Sequence, residues 1–241
     1  HENRFLMTSV KALGVKVKKP TDGGRRLVIT DIHGCGKTFS KLLKKVSLTR
    51  DDQLFLLGDF INRGPRSKKV LDTVLQLKKD GFQVFPLMGN HEENLLHLAE
   101  KSPDDLKNLL APRNSTNLLN KKGNVRGRFF RFIRALPYYY DLGDYYLVHA
   151  GFNLSKKKPF SDSHSMAWMR NFSIDKKLNG RKVVFGHTPT KLFKIQSSIG
   201  ENAKSICLDN GCSHAHLGVE YSSLVCYDLD SKKLYRQKNI D

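Results

Sequence analysis

Leu54-Phe55-Leu56-Leu57 is an apolar run of four that ends in Gly58-Asp59 and continues through Phe60-Ile61-Asn62 to Arg63-Gly64. Such a run reads as a buried strand. The glycine-aspartate pair turns a carboxylate out at the strand's C-terminal end, where open α/β sheets bind ligands. A chain organised around this stretch is expected to be an α/β protein with Asp59 at its working edge.

The same pattern recurs along the chain. Arg26-Leu27-Val28-Ile29-Thr30 ends at Asp31, with His33 two residues on. Residues 83–87 run through Met88-Gly89 to Asn90 and His91. Tyr145-Tyr146-Leu147-Val148 ends at His149, and Lys182-Val183-Val184-Phe185-Gly186 ends at His187. Asp and Asn are favoured in turns on their own account. Five strand ends that each present a metal-binding side chain, two of them imidazoles, exceed what turn chemistry explains.

Apolar periodicity predicts helices between these strands. Phe39, Leu42, Leu43 and Val46 mark one over 38–46; Val70, Leu71, Val74 and Leu77 mark another over 67–79, stopped by Gly81. A third passes through Leu95, Leu96 and Leu98; 129–136 reads as helical, and a short element over 165–170 carries Trp168. Segments 205–209, 223–228 and 233–237 are spaced like antiparallel strands. Residues 101–128 are polar and broken by Pro103, Pro112 and Gly123. They either frame a substrate entrance or cap the side of the core. Residues 1–24 read as a basic arm with a short strand at 15–17, ahead of one catalytic domain over 25–241.

With 241 residues and 39% hydrophobic content, the chain supports one well-buried domain. Its 42 Lys+Arg against 23 Asp+Glu, a formal +19, favour acidic partners. The lysines are scattered in pairs, and there is no nucleic-acid motif or aromatic-basic strip, so nucleic acid is not an expected partner. Cys35, Cys207, Cys212 and Cys226 show no CxxC or metal-finger spacing and read as free thiols in a reducing compartment. No apolar run approaches the ~20 residues of a membrane span. The polar opening, His1 to Phe5, does not resemble a signal peptide, and Met7 is a candidate natural start. A cytoplasmic monomer is the expectation.

Carboxylate, amide oxygen and imidazole mixed together suit Mn²⁺, Fe or Zn²⁺ better than the all-oxygen cages of Ca²⁺ or Mg²⁺. Six candidate ligands exceed what one catalytic metal with open positions takes, and two metals sharing one carboxylate fits the count. Such a pair, ~3.5–4 Å apart, clamps the attacking and leaving oxygens of a phosphoryl displacement and makes water a nucleophile at neutral pH.

Asp31-Ile32-His33-Gly34, Gly58-Asp59 with Arg63-Gly64, Gly89-Asn90-His91-Glu92, His149-Ala150-Gly151 and Gly186-His187 together resemble the motif series of the calcineurin-like metallophosphoesterases. More narrowly they resemble the bacterial branch of the phosphoprotein phosphatases. The resemblance runs over about residues 26–228. It implies a central β-sandwich flanked by helices, with the site at the C-terminal ends of the strands. It implies that Asp31 and His33 bind one metal, that Asp59 bridges, and that Asn90, His149 and His187 bind the second. His91 matches the histidine that protonates the leaving oxygen. Arg63 matches an arginine that grips phosphate, and Arg170 in Trp168-Met169-Arg170 resembles a second.

Two positions depart from the family pattern. Asn62 stands where many members have the aspartate that supports the acid histidine, so either His91 has a lowered pKa or another carboxylate, such as Glu92, takes over. Thr30 stands where the first motif usually has glycine. Elsewhere, Asp209-Asn210-Gly211 reads as a structural turn and Cys212-Ser213-His214-Ala215-His216 as a solvated loop near the site. The leading expectation is a metal-dependent phosphomonoester hydrolase acting on phosphoserine or phosphothreonine, and also phosphotyrosine, in a phosphorylated protein or peptide; His187-Thr188-Pro189 favours this branch. One alternative is a symmetric dinucleoside tetraphosphate hydrolase, whose branch also has a non-acidic residue at the Asn62 position. The other is a non-catalytic basic module that binds nucleic acid or a partner.

Overall fold

The computed structural model describes residues 13–241 except 22, 173, 175–177 and 179. Half of the expected basic arm, residues 1–12, lies outside the described residues. Arg26–Ile29 (β2), Gln53–Leu56 (β3) and Gln83–Pro86 (β4) run parallel, with Leu27 opposite Leu54 and Leu54 opposite Val84. Ser223–Asp228 (β9) joins β2 antiparallel, and Leu234–Lys238 (β10) continues that sheet at its edge. The second sheet has the order Gly14–Lys16 (β1), Tyr139–Asp141 (β5), Tyr145–Val148 (β6), Lys182–Phe185 (β7) and Ser205–Cys207 (β8). Only its β5–β6 pair is antiparallel.

Strand alternation explains how the sheets stack. Side chains of a strand point to opposite faces with a period of two. Leu27, Ile29, Leu54 and Leu56 face one apolar cluster, under the helices; Val28, Phe55 and Leu57 face another. That second cluster also takes Tyr140, Leu147, Val184 and Ile206, so it is the seam between the sheets. Gly36–Lys45 (α1), Ser67–Lys79 (α2), Asn90–Lys101 (α3) and Gly127–Arg134 (α5) cover the first sheet through residues such as Phe39, Leu42, Val70, Val74, Leu95 and Phe129. The expected sandwich flanked by helices is the observed architecture.

Three sequence expectations change. Leu192–Gly200 forms a helix (α7) that was not anticipated, although Leu192, Ile195 and Ile199 carry its apolar face. It makes a crossover from β7 to β8, so β8 pairs parallel rather than antiparallel. The expected strand at 15–17 is the edge strand β1, paired parallel with β5. Residues 101–128 include Leu106–Leu110 (α4) and bury Leu106, Leu110, Leu118, Leu119 and Val125 against the helices. The same segment reaches the site, because the Ser115 hydroxyl accepts the Asn62 N–H at 3.1 Å and the Arg113 carbonyl accepts the Arg63 N–H at 2.9 Å. It is both cap and brace. Among the described residues no helix is long and apolar enough to cross a membrane.

Arg26 ties the two sheets together at the end of β2 remote from Asp31. It is buried and donates to Asp144, in the turn after β5, at 2.6 and 2.8 Å, and to Asp230, in the turn after β9, at 2.7 Å. Both carboxylates are partly open to water, which moderates the loss when the arginine goes. Arg26→Leu is expected to lower unfolding free energy by about 2–3 kcal/mol. Denaturant titration measures this, and metal content of the folded variant should stay at the wild-type level.

Candidate active site

The strand ends deliver the site through strained backbone. Asp31 (φ 51°), His33 (φ 45°), Asp59 (φ 52°), Asn62 (φ 71°), Arg63 (φ 68°) and His187 (φ 71°) all occupy the left-handed region. Non-glycine residues avoid it, and such strain collects at functional sites. Each kink lifts a side chain off its sheet toward a common centre. Approach is close enough to need glycine at 186: a Cβ there would lie 2.1 Å from Asp31 Oδ2.

Asp59 Oδ2 is the centre. It lies 3.4 Å from His33 Nε2, 3.6 Å from His149 Nε2 and 3.9 Å from His91 Nε2. Two groups of potential ligand atoms share it, each within 4.8 Å: His33, Asp59 and His91, and Asp59, His149 and His187. The His33 Nδ1 lies 3.1 Å from the Ile61 carbonyl, which fixes the proton there and leaves Nε2 as a lone pair. Asp31 Oδ2 accepts from the Thr30 hydroxyl at 2.5 Å and from the His187 N–H at 3.0 Å. Thr30, where glycine was expected, thus orients the carboxylate. Asp31 Oδ1 is buried without a partner, 3.8 Å from His33 Nε2.

The second group is tighter. Asn90 Oδ1, His149 Nε2 and His187 Nδ1 lie 3.0 to 3.2 Å apart. His149 Nδ1 faces the Leu57 carbonyl at 2.8 Å and must donate to it, so His149 Nε2 is a lone pair. An amide oxygen and a nitrogen lone pair at that distance repel unless a cation lies between them. His187 Nε2 is likewise buried without a partner. These converging acceptors and orphaned atoms fit bound metal ions.

Electrostatics point the same way. Burial, and then the Asp31 charge, push Asp59 well above the usual carboxylate range. Burial and the neighbouring His91 and Arg63 hold His33 well below the ordinary imidazole value. Burial, His149 and Arg170 bring His187 down to about 3. Neutral imidazoles are the ligand form. Asp209, read from sequence as a structural turn, accepts the Gly211 N–H at 2.7 Å and is pushed well up by burial and by Asp31. It is a third buried acid behind the cluster.

Glu92 does not support His91, contrary to one expectation. Its carboxylate accepts the N–H groups of Asp59 (2.7 Å), Phe60 (2.9 Å), Ile61 (3.3 Å) and Gly89 (3.2 Å). It is the cradle that shapes the Asp59 turn. Burial and the Asp59 charge push Glu92 up to about 8, while the Asp59 and Phe60 N–H groups oppose that rise. His91 instead meets Asn62, whose amide lies 2.8 Å from Nδ1. Burial, and then Arg63, bring His91 down to about 3, the lowered-pKa alternative raised by the sequence.

His214 is the residue that sequence reasoning undervalued. The segment after Gly211 is no idle solvated loop: His214 Nε2 lies 2.6 Å from Arg63 Nη1, and its ring sits 6.4 Å from that of His33. Burial, and then Arg63, lower it to about 4, so it is the neutral acceptor that anchors the guanidinium. The signal available was a pair of histidines just after Asp209-Asn210-Gly211. Arg170 is exposed, and its charge is one of those that lower His187.

Asp59→Asn is expected to abolish hydrolysis of p-nitrophenyl phosphate and to reduce bound metal, read by elemental analysis; wild-type turnover would sink the shared-ligand arrangement. His214→Ala should lower kcat/KM by about 3–10-fold through a raised KM, and His214→Gln should recover part of it by restoring an acceptor. An unchanged KM in His214→Ala would remove His214 from substrate binding.

Comparison with known proteins narrows the reading. A tetraphosphatase from Wigglesworthia glossinidia brevipalpis, named bis(5'-nucleosyl)-tetraphosphatase, symmetrical, is 38% identical over 94 residues, covering 39% of this chain and 32% of the relative. One of the same name from Nitrosomonas europaea is 32% identical over 129 residues, covering 51% and 43%. The matches thus span less than half the length of these relatives. A solved structure provisionally described as a diadenosine tetraphosphatase superposes with a TM-score of 0.65 at 23% identity, covering 93% of this chain and 97% of that one. A protein serine/threonine phosphatase from Saccharomyces cerevisiae reaches the same TM-score at 14% identity, covering 96% and 85%. The fold is therefore common to both activities. The expected protein-phosphatase function and phosphoprotein partner are overturned by the names of the sequence relatives, because the shared motifs specify phosphate chemistry and not the group that carries the phosphate. The model of the Calcineurin-like phosphoesterase family matches residues 24–228, and the chain, a metallophosphoesterase hydrolase, belongs to that family.

Proposed function

We propose that this chain hydrolyses dinucleoside tetraphosphates symmetrically, to two nucleoside diphosphates. The observation that carries the reading is the agreement of sequence relatives, 32% to 48% identical over their matched segments, on that activity. In it, residues 25–241 act as one catalytic domain. Asp31 and His33 would hold one cation and Asn90, His149 and His187 the other, with Asp59 placed to serve both. When bound, two divalent cations supply positive charge to the phosphate oxygens and lower the pKa of water. The mixed donor set suits Mn²⁺, with iron or Zn²⁺ as alternatives. Arg63, anchored by His214, and Arg170 bind phosphate oxygens as planar donors. The four cysteines are free thiols, in keeping with a reducing cytoplasmic setting.

The leaving group fits the Asn62 substitution. His91 donates its proton to the departing oxygen, and Asn62 holds the ring through Nδ1. An amide cannot stabilise an imidazolium by charge as a carboxylate does. A departing nucleoside diphosphate ends in a phosphate with pKa about 6 and needs little protonation. An alkoxide leaving a phosphoserine needs far more.

The experiment is a metal-reconstituted panel of diadenosine tetraphosphate, phosphopeptide and p-nitrophenyl phosphate, with products separated by chromatography. ADP as sole nucleotide product, at a kcat/KM well above that for phosphopeptide, is the expected result. AMP and ATP products, or a preference for phosphopeptide, would refute it. His91→Asn should cost more on an alkyl phosphate than on diadenosine tetraphosphate; equal losses would remove His91 as the proton donor.

A further inference from the structure

Trp168 is the chain's only tryptophan, and it is 38% exposed. It is the last residue of Ser163–Trp168 (α6). One exposed aromatic needs no explanation by itself. This one, however, is held in place. Its indole N–H donates to the Glu93 carboxylate, whose other oxygen accepts the Tyr138 hydroxyl at 2.7 Å. The ring's polar atom is satisfied inside the protein, so what remains for solvent is apolar surface. His164, one turn earlier, lies nearly parallel, with ring centroids 6.0 Å apart and planes at 18°. Among the described residues no other ring lies against the indole. The result is a flat aromatic surface whose orientation is set by two hydrogen bonds.

That surface adjoins the candidate active site. Glu93 follows Asn90 by three residues on α3, about 4.5 Å along the helix axis. The Ala150 N–H, next to His149, donates to the Met166 carbonyl at 2.8 Å, which ties α6 to the second ligand group. Arg170 stands two residues beyond Trp168, close enough for its charge to act on His187. A nucleotide with its phosphates at the ligand cluster and Arg170 would therefore find an aromatic face on an element tied directly to that cluster.

We propose that Trp168 is the stacking platform for one nucleobase of a nucleotide substrate, with Glu93 and Tyr138 as the clamp that fixes its plane. The proposal deepens the functional reading above and rests on it. Stacking on an indole tolerates any base, because every base has a π face. The platform therefore selects nucleotides over bare polyphosphates, not adenine over other bases.

The single tryptophan makes a direct test. ADP and inorganic tripolyphosphate are titrated against the wild-type protein while tryptophan fluorescence is followed. ADP is expected to quench and tripolyphosphate to leave the signal near its starting value. No quenching at millimolar ADP, or equal quenching by both, overturns the platform. In a second arm, kcat/KM for diadenosine tetraphosphate relative to p-nitrophenyl phosphate should fall about tenfold in Trp168→Ala and less in Trp168→Phe. A ratio within twofold of wild type in Trp168→Ala overturns it. If the wild type leaves diadenosine tetraphosphate intact, the functional reading fails by itself; selective quenching by ADP would still support the platform, and its absence would overturn it.

Discussion

Asp59 and Asp31 are buried acids in one small space, and that repulsion governs the site. Burial, and then the Asp31 charge, disfavour the charged form of Asp59. Asp209 adds a third acid from behind. Around them converge His33 Nε2, His149 Nε2 and Asn90 Oδ1, presented to a common space. A protein that only needed a stable core would fill this space with apolar side chains. The arrangement makes sense when cations supply the missing charge, and cation binding is then also folding energy, because the unfolded chain has no preformed site.

Two sheets are needed to assemble it. Asp31, Asp59 and Asn90 follow β2, β3 and β4 of one sheet, and His149 and His187 follow β6 and β7 of the other. The cluster therefore straddles the seam, and its geometry depends on how the sheets are stacked. Seam packing through Val28, Phe55, Leu147 and Val184 sets that relation, and Arg26 secures the far end. The left-handed turns act on a finer scale, and the Glu92 cradle shows how one is held. Four backbone N–H groups end on a single carboxylate, which lies on the helix that also carries Asn90 and His91. The turn bearing Asp59 and the helix bearing its neighbours thus cannot shift independently.

What was legible in the sequence follows from this construction. Strands with apolar runs and abrupt polar ends announced both the fold and the six candidate ligand positions, because burial and turn chemistry are local properties. The brace from Ser115 and Arg113, and the anchor from His214, were hidden because they join residues about 50 and 151 positions apart. Glu92 misled for another reason. A glutamate beside a histidine invites a partnership, yet helical geometry sends adjacent side chains in different directions. The helix α7 carried its apolar signal in only three residues, and without it the order of the last strands read as a simple antiparallel meander. Substrate class was the least legible, since metal and phosphate ligands are common to esters and anhydrides alike.

The distinction between ester and anhydride then falls on groups outside the metal cluster. In the proposed reaction, cations held at the ligand cluster and the two arginines would stabilise charge on phosphate whatever leaves. Of the residues in the proposal, only His91 is assigned to the leaving oxygen, and how far it is protonated depends on its burial, its neighbouring charges and what touches Nδ1. With Asn62 there, and Arg63 nearby, the imidazolium is disfavoured, and the site is better matched to a leaving group that departs as an anion. A diphosphate does so; an alkoxide does not. A sparse protonated form at one residue is thus tolerable when the substrate supplies the good leaving group, and binding contacts remote from the reacting phosphate can carry the selectivity that a fully protonated acid would otherwise give.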